Sequence, residues 1–173
     1  VTGVQTCALP IYTTGNDNVN ASAAVYADLR GYAGDDTLVG GAGNDYFEGG
    51  TGADSLVGGT GDDSFQETDG GDALAGGDGN DVLTLYGKAT GTTLAYTSFA
   101  TFASASGLRV KEIEQLYFRG DTTSGNDNVN ASAAVYADLR GYIGDDTLVG
   151  GAGNDYFEGG TGADSLVGGT GDD

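Results

Sequence analysis

Histidine, methionine and tryptophan are missing from this 173-residue chain, and cysteine and proline occur once each. Without histidine, neither a Ser–His–Asp nor a Cys–His arrangement can be assembled, so the commonest nucleophilic catalysts are excluded. One cysteine, Cys7, supports no intrachain disulfide. Basic residues are scarce as well: six Lys and Arg stand against 26 Asp and Glu, for a net charge of −20. Nucleic-acid binding needs a basic footprint, and an anionic membrane surface would repel this chain, so neither is expected as a partner. No apolar run approaches the ~18 residues of a spanning helix, so membrane insertion is not expected. The only lysines, Lys88 and Lys111, follow no glycine-rich phosphate loop.

The first eleven residues, VTGVQTCALPI, share nothing with the rest and resemble the translation of a sequencing-library adapter. We set 1–11 aside as a non-native segment, and Cys7 and Pro10 go with it. There is no initiator Met and no charged signal-peptide region, so the sequence reads as a fragment of a larger protein.

What the chain has in abundance is glycine, 34 residues, in a strict order. Residues 31–84 are six consecutive nonapeptides of the form G-G-x-G-x-D-x-U-x, where U is a large apolar residue: GYAGDDTLV, GGAGNDYFE, GGTGADSLV, GGTGDDSFQ, ETDGGDALA and GGDGNDVLT. The pattern returns at 141–173, ending in the truncated GGTGDD. Asp fills the sixth place in every unit, at Asp36, Asp45, Asp54, Asp63, Asp72 and Asp81, then Asp146, Asp155, Asp164 and Asp173. The eighth place of each complete unit is Leu or Phe: Leu38, Phe47, Leu56, Phe65, Leu74, Leu83, Leu148, Phe157 and Leu166.

A longer period lies over the short one. Residues 15–63 recur at 125–173 with one difference, Ala33 against Ile143. An Ala codon becomes an Ile codon only through at least two base changes, which a single read error does not produce, and we read a genuine tandem array. The expected organisation is leading rungs without the full motif at 12–30, a repeat block at 31–84, a spacer at 85–124 that binds no metal, and a second copy of the leading rungs plus a truncated block at 125–173. From the end of the block into the spacer, VLTLYG at 82–87, TTLAYTSF at 92–99 and LRVKEIEQLYF at 108–118 read as strands from their β-branched and aromatic content.

Within a unit, Gly at places one, two and four permits positive φ and close backbone approach, so the first six places suit a turn. The last three suit a short strand with its middle side chain inward, as Thr37, Leu38 and Val39 illustrate. If two nonapeptides make one coil, alternate units stack. Leu38, Leu56 and Leu74 would then line one sheet, and Phe47, Phe65 and Leu83 the other. The fold expected is all-β: a parallel β-roll, a right-handed β-solenoid with two nonapeptides per coil.

One apolar side chain per nine residues is a thin core, and stacked sheets about 4.8 Å apart from strand to strand bring like-charged Asp carboxylates over one another. Such a column needs a cation, whose binding free energy becomes folding free energy. Oxygen-only ligation selects Ca²⁺ over zinc or copper, and a flexible oxygen set suits Ca²⁺ better than octahedral Mg²⁺. No D-x-[DN]-x-[DN]-G loop ending in Glu is present, so this is not an EF-hand.

These repeats resemble the repeats-in-toxin (RTX) family, and KEIEQLYFRG at 111–120 is similar to segments between such blocks in large members. The resemblance implies a β-roll that binds Ca²⁺ in its turns, with the ten sixth-place Asp side chains as metal ligands beside turn carbonyls. It also implies a secreted, extracellular bacterial protein, exported unfolded by type I secretion machinery through a C-terminal signal not present here. Unit 67–75 departs from the pattern, with Glu67 and Thr68 in place of paired Gly. Asp35, Asp62, Asp145 and Asp172 at the fifth place, and Asp17 and Asp127 in the half-matching TGNDNVN and SGNDNVN segments, read as solvated turn residues.

Three rival readings compete with this one. A disordered acidic linker fits the composition but describes only the metal-free state, since disorder does not require a periodic apolar eighth place. An enzyme is not expected here; the alternative is that this is the repeat region of a secreted protease, lipase, epimerase or adhesin whose active domain lies elsewhere. An ice-binding or adhesive ladder would need one outward residue type, whereas the seventh places are Thr37, Tyr46, Ser55, Ser64, Ala73 and Val82. The Asn20-Ala21-Ser22 and Asn130-Ala131-Ser132 sequons are read as coincidental.

Overall fold

The computed structural model describes residues 7–8, 14–67, 71–87, 93–95, 109–120 and 125–173. The described residues form strands and turns without a helix. In chain order the strands are β1 (Cys7–Ala8), β2 (Asn18–Asn20), β3 (Tyr26–Ala33), β4 (Thr37–Val39), β5 (Tyr46–Thr51), β6 (Ser55–Thr60), β7 (Ser64–Glu67), β8 (Ala73–Asp78) and β9 (Val82–Tyr86). There follow β10 (Thr93–Ala95), β11 (Arg109–Lys111), β12 (Gln115–Arg119), β13 (Asn128–Asn130), β14 (Tyr136–Ile143), β15 (Thr147–Val149), β16 (Tyr156–Thr161) and β17 (Ser165–Val167). Every pairing is parallel, and within the repeat blocks partners such as Leu38 and Leu56 lie one coil of two nonapeptides apart, which makes the molecule a β-solenoid; pairings that involve the spacer strands span longer loops.

Alternate units go to alternate sheets. One long sheet runs β1-β3-β5-β7-β9-β12-β14-β16 through both repeat blocks, while the opposite face is divided between β11-β8-β6-β4-β2 and β10-β13-β15-β17. The eighth-place residues stack as expected: Leu38 pairs Leu56 and Leu56 pairs Leu74 on one face, Phe47 pairs Phe65 and Phe65 pairs Leu83 on the other. All six are fully buried, and the Phe47 and Phe65 rings are stacked, nearly parallel, with centroids 4.7 Å apart. This strip of paired apolar residues is the core of the block.

The turns are shorter than the sequence suggests. Strands β5, β6, β8 and β16 run on through the next unit's paired Gly, or its equivalent, and the residue after it, so that Gly59 pairs Gly77 and Thr60 pairs Asp78. Positive φ is confined to particular places, as at the second-place Gly50 (106°) and fourth-place Gly52 (140°). The first-place Gly is needed for space instead. Tyr32 and Tyr142 stand at the second place with φ of 71°, a left-handed conformation that costs an L-residue roughly 1–2 kcal/mol.

Of the expected strands, VLTLYG forms β9 and TTLAYTSF contributes β10, with 92 and 96–99 outside the described residues. The described part of the 108–118 stretch, from 109 on, is two strands rather than one, β11 and β12, separated where Glu112 takes φ of 54°. The spacer also moves the register. Leu83 pairs Leu116, which pairs Ala137, yet in the second copy it is Leu139, two residues on, that pairs the eighth-place Phe157. The eighth-place column of the first block therefore continues into the sixth-place column of the second.

Candidate metal centre

The sixth-place aspartates stand in columns along the two edges of the solenoid, each at the mouth of a strand. On one edge the column is Asp17, Asp36, Asp54 and Asp72; on the other it is Ala27, Asp45, Asp63 and Asp81. Each carboxylate reaches back one coil. Asp54 Oδ1 accepts the Asp36 N–H at 2.8 Å, Asp72 Oδ1 accepts that of Asp54 at 2.9 Å, and Asp63 Oδ1 and Asp81 Oδ1 accept those of Asp45 and Asp63 at 2.8 Å each. The second block repeats this, with Asp146 Oδ1 to Asp127 N (2.8 Å), Asp164 Oδ1 to Asp146 N (3.1 Å) and Asp173 Oδ1 to Asp155 N (2.9 Å). A side chain of this length spans one coil, and Asn44 Oδ1 accepts the Asp62 N–H in the same way at 3.0 Å, so the reach alone does not require the charge.

That bond uses one oxygen. The other, Oδ2, points at the first-place Gly of its own unit: a Cβ added at Gly31, Gly40, Gly58, Gly141 or Gly150 would come closer than 3.0 Å to the Oδ2 of Asp36, Asp45, Asp63, Asp146 or Asp155 and to a Gly carbonyl oxygen one coil further on. Carboxylate and carbonyl oxygens thus share one small space that any side chain would fill. In Asp45 and Asp155 the Oδ2 is satisfied by the N–H of Gly41 and Gly151, at 2.7 Å in each case. In Asp36, Asp63, Asp81 and Asp146 it is buried and accepts no hydrogen bond.

A buried carboxylate oxygen with no donor is costly as long as it is charged. Burial pushes Asp63 up to about 7 and Asp81 up to about 6, with neighbouring carboxylates adding to both, and raises Asp36 and Asp146 in the same direction. A hard cation is the other way to remove that cost. No three His, Cys, Asp or Glu side chains converge among the described residues, so a cation here would draw largely on main-chain carbonyls. This oxygen-only mixture fits Ca²⁺.

Several residues do more than the sequence suggested. Asp127 is 2 % exposed, and its Oδ2 and the Gly141 carbonyl crowd the Cβ position of Gly120 as Asp63 and the Gly76 carbonyl do at Gly58. It belongs to the column and is no solvated turn residue; its Gly–x–Asp–x–Val spacing was the signal. Asp17 is half-buried and enters the column through its N–H, donated to Asp36 Oδ1 at 2.7 Å. Asp35, Asp62 and Asp145 are exposed as expected, but they form an outer ladder, their Oδ1 atoms accepting the N–H of Ala53, Asn80 and Ala163.

Glu67 interrupts the row of first-place glycines. It is 1 % exposed, its Oε1 accepts the Gly49 N–H at 3.3 Å, and burial beside Asp72 pushes its carboxyl up to about 9. Of the remaining predicted positions, Asp164 is half-buried and Asp173 exposed.

Comparison with known families agrees with this geometry. The RTX calcium-binding nonapeptide repeat matches in four copies, over residues 30–65, 68–87 and 140–173, just over half of the chain. The chain belongs to the RTX calcium-binding nonapeptide repeat family. No curated protein and no solved structure matches it. Membership of the RTX family implies Ca²⁺ as the bound ion, and the matched segments contain all ten sixth-place aspartates. No helix among the described residues is long and apolar enough to cross a membrane.

Proposed function

We propose that this segment is a calcium-driven folding element and spacer of a secreted bacterial protein, and that it is not itself catalytic. The sixth-place aspartates Asp36, Asp45, Asp54, Asp63, Asp72, Asp81, Asp146, Asp155, Asp164 and Asp173 hold the ions together with carbonyls of the adjoining turns. The observation that carries this reading is the set of buried Oδ2 atoms that accept no hydrogen bond and face glycine carbonyls. Free calcium then sets the folded population by linkage. In a low-calcium cytoplasm the carboxylates repel and the chain stays exportable; at roughly 0.1–1 mM Ca²⁺, the range of extracellular modules, the coils close. The absence of histidine from the chain leaves this segment without a Ser–His–Asp or Cys–His catalyst, in keeping with a structural role.

Far-UV circular dichroism of residues 12–173, titrated with Ca²⁺ and in parallel with Mg²⁺, tests this. The expected result is a cooperative gain of β signal with Ca²⁺ that chelation reverses and that Mg²⁺ does not reproduce. An unchanged spectrum up to about 10 mM Ca²⁺, well above that range, would overturn it.

A further inference from the structure

We propose that the spacer closes the first repeat block with a cation site of its own, formed by Asp81, the Glu112 carbonyl and the Glu114 carboxylate, for a divalent cation that takes oxygen ligands. It rests on the calcium reading above, and shares Asp81 with the last nonapeptide, but its other two groups come from outside the nonapeptide motif.

Three observations carry it. First, the pair of oxygens that crowds Gly58, Asp63 Oδ2 and the Gly76 carbonyl, is matched at Gly76 by Asp81 Oδ2 and the carbonyl of Glu112. The second oxygen now comes from a residue 36 positions on in sequence rather than from a repeat glycine. Second, Asp81 is fully buried, and its Oδ2 faces this space without a hydrogen bond. Third, the ladder that runs Asp45, Asp63, Asp81 is completed by Glu114, whose Oε2 accepts the Asp81 N–H at 2.7 Å, as Asp81 Oδ1 does for Asp63 at 2.8 Å.

The local backbone explains how a non-repeat segment does this. Glu112 takes φ of 54°, which turns its carbonyl toward Gly76, while its own carboxylate points away to Lys111 Nζ at 3.0 Å. Ile113, fully buried, pins the segment between the two glutamates. Glu114 and Gln115 both donate their N–H to the Asp81 carbonyl, at 3.1 and 3.0 Å, so two residues face one. This offset lets Glu114, one methylene longer than Asp, reach the N–H that a nonapeptide Asp reaches elsewhere. With Asp81, Glu112 and Glu114 together the corner holds three acidic residues and one nearby lysine, a balance that a divalent cation restores.

The test compares the wild-type chain with E114Q by calcium-binding stoichiometry and amide hydrogen exchange, at calcium levels that saturate the wild type. Gln keeps an oxygen for the Asp81 N–H and loses only the charge. The expected result is one ion fewer, or one site weakened at least tenfold, with faster exchange confined to Lys111–Arg119. The same stoichiometry, affinity and exchange in E114Q would overturn the proposal while leaving the nonapeptide sites intact. A wild-type chain that binds no calcium would instead overturn the underlying reading. Trimethylamine N-oxide in both samples keeps a loosened variant folded, so that the ion count is read on folded protein.

Discussion

Residues 15–63 and 125–173 differ at one position, yet they do not share an environment. Leu56 is fully buried and its counterpart Leu166 is 45 % exposed; Phe47 is fully buried and Phe157 only partly. At the other end of each copy the order is reversed. Asp17 is half-buried, whereas Asp127, with the spacer strand laid against it, is 2 % exposed. Asp28 pairs with Arg30 at 2.8 Å, while Asp138 holds Arg140 at 3.0 Å and also Arg119 of the spacer at 3.1 Å. Burial in a solenoid is therefore a property of the stack. A coil contributes half of each interface, and its neighbours decide what the other half is worth.

The largest way to sharpen this contrast is to change the charge of the buried columns. For Asp63, Asp81 and Glu67 the folded-state pKa lies above the unfolded one, so the folded chain binds more protons and its stability falls as pH rises, from near 4 to about 7 for Asp63 and to about 9 for Glu67. In calcium-free chain poised with osmolyte, the folded-to-unfolded ratio is expected to drop by roughly tenfold or more between pH 5 and pH 8. D63N should flatten this dependence while raising the calcium midpoint at pH 8. A folded fraction that rises with pH in the absence of metal would contradict the burial argument.

The next test breaks the identity of the copies directly. L56A is expected to cost about 3 kcal/mol, because it opens a cavity between Leu38 and Leu74. L166A, at the half-exposed equivalent, should cost under about 1 kcal/mol. Urea unfolding at saturating calcium measures both, and equal losses would show that the two coils are equally covered in solution.

The smallest effect concerns a point where the copies agree. Tyr32 and Tyr142 share φ of 71°, so Y32G and Y142G relieve the same strain and should each change stability by about 1 kcal/mol or less, in the same direction. Opposite signs in the same unfolding measurement would mean that side-chain contacts, and not the backbone, set the preference.

Much of this was legible in the sequence because it repeats at the period of the coil. The stacking of Leu38 on Leu56 and of Phe47 on Phe65, and the alignment of Asp36 with Asp54, follow from counting. What escaped was whatever the period does not contain. Glu114 takes the place of an Asp from 33 residues away, Asp127 is buried although it stands in only half a motif, and Glu67 turns a missing glycine into a buried carboxyl. The length of the turns escaped for another reason: glycine permits a turn, but pairing with the next coil, as in Gly59 with Gly77, draws it into the strand.

The displacement of Leu83 and Leu116 onto Ala137 has a geometric outcome. Two residues along a strand are about 7 Å, so on the edge shared by both blocks the second row of turns is set sideways from the first by that distance. An array that repeated this unit would carry its charge in terraces, each short row offset from the last, and never in one unbroken file. The sheet that runs unbroken through both blocks would still couple neighbouring terraces, so their ions would be set apart while their folding was shared.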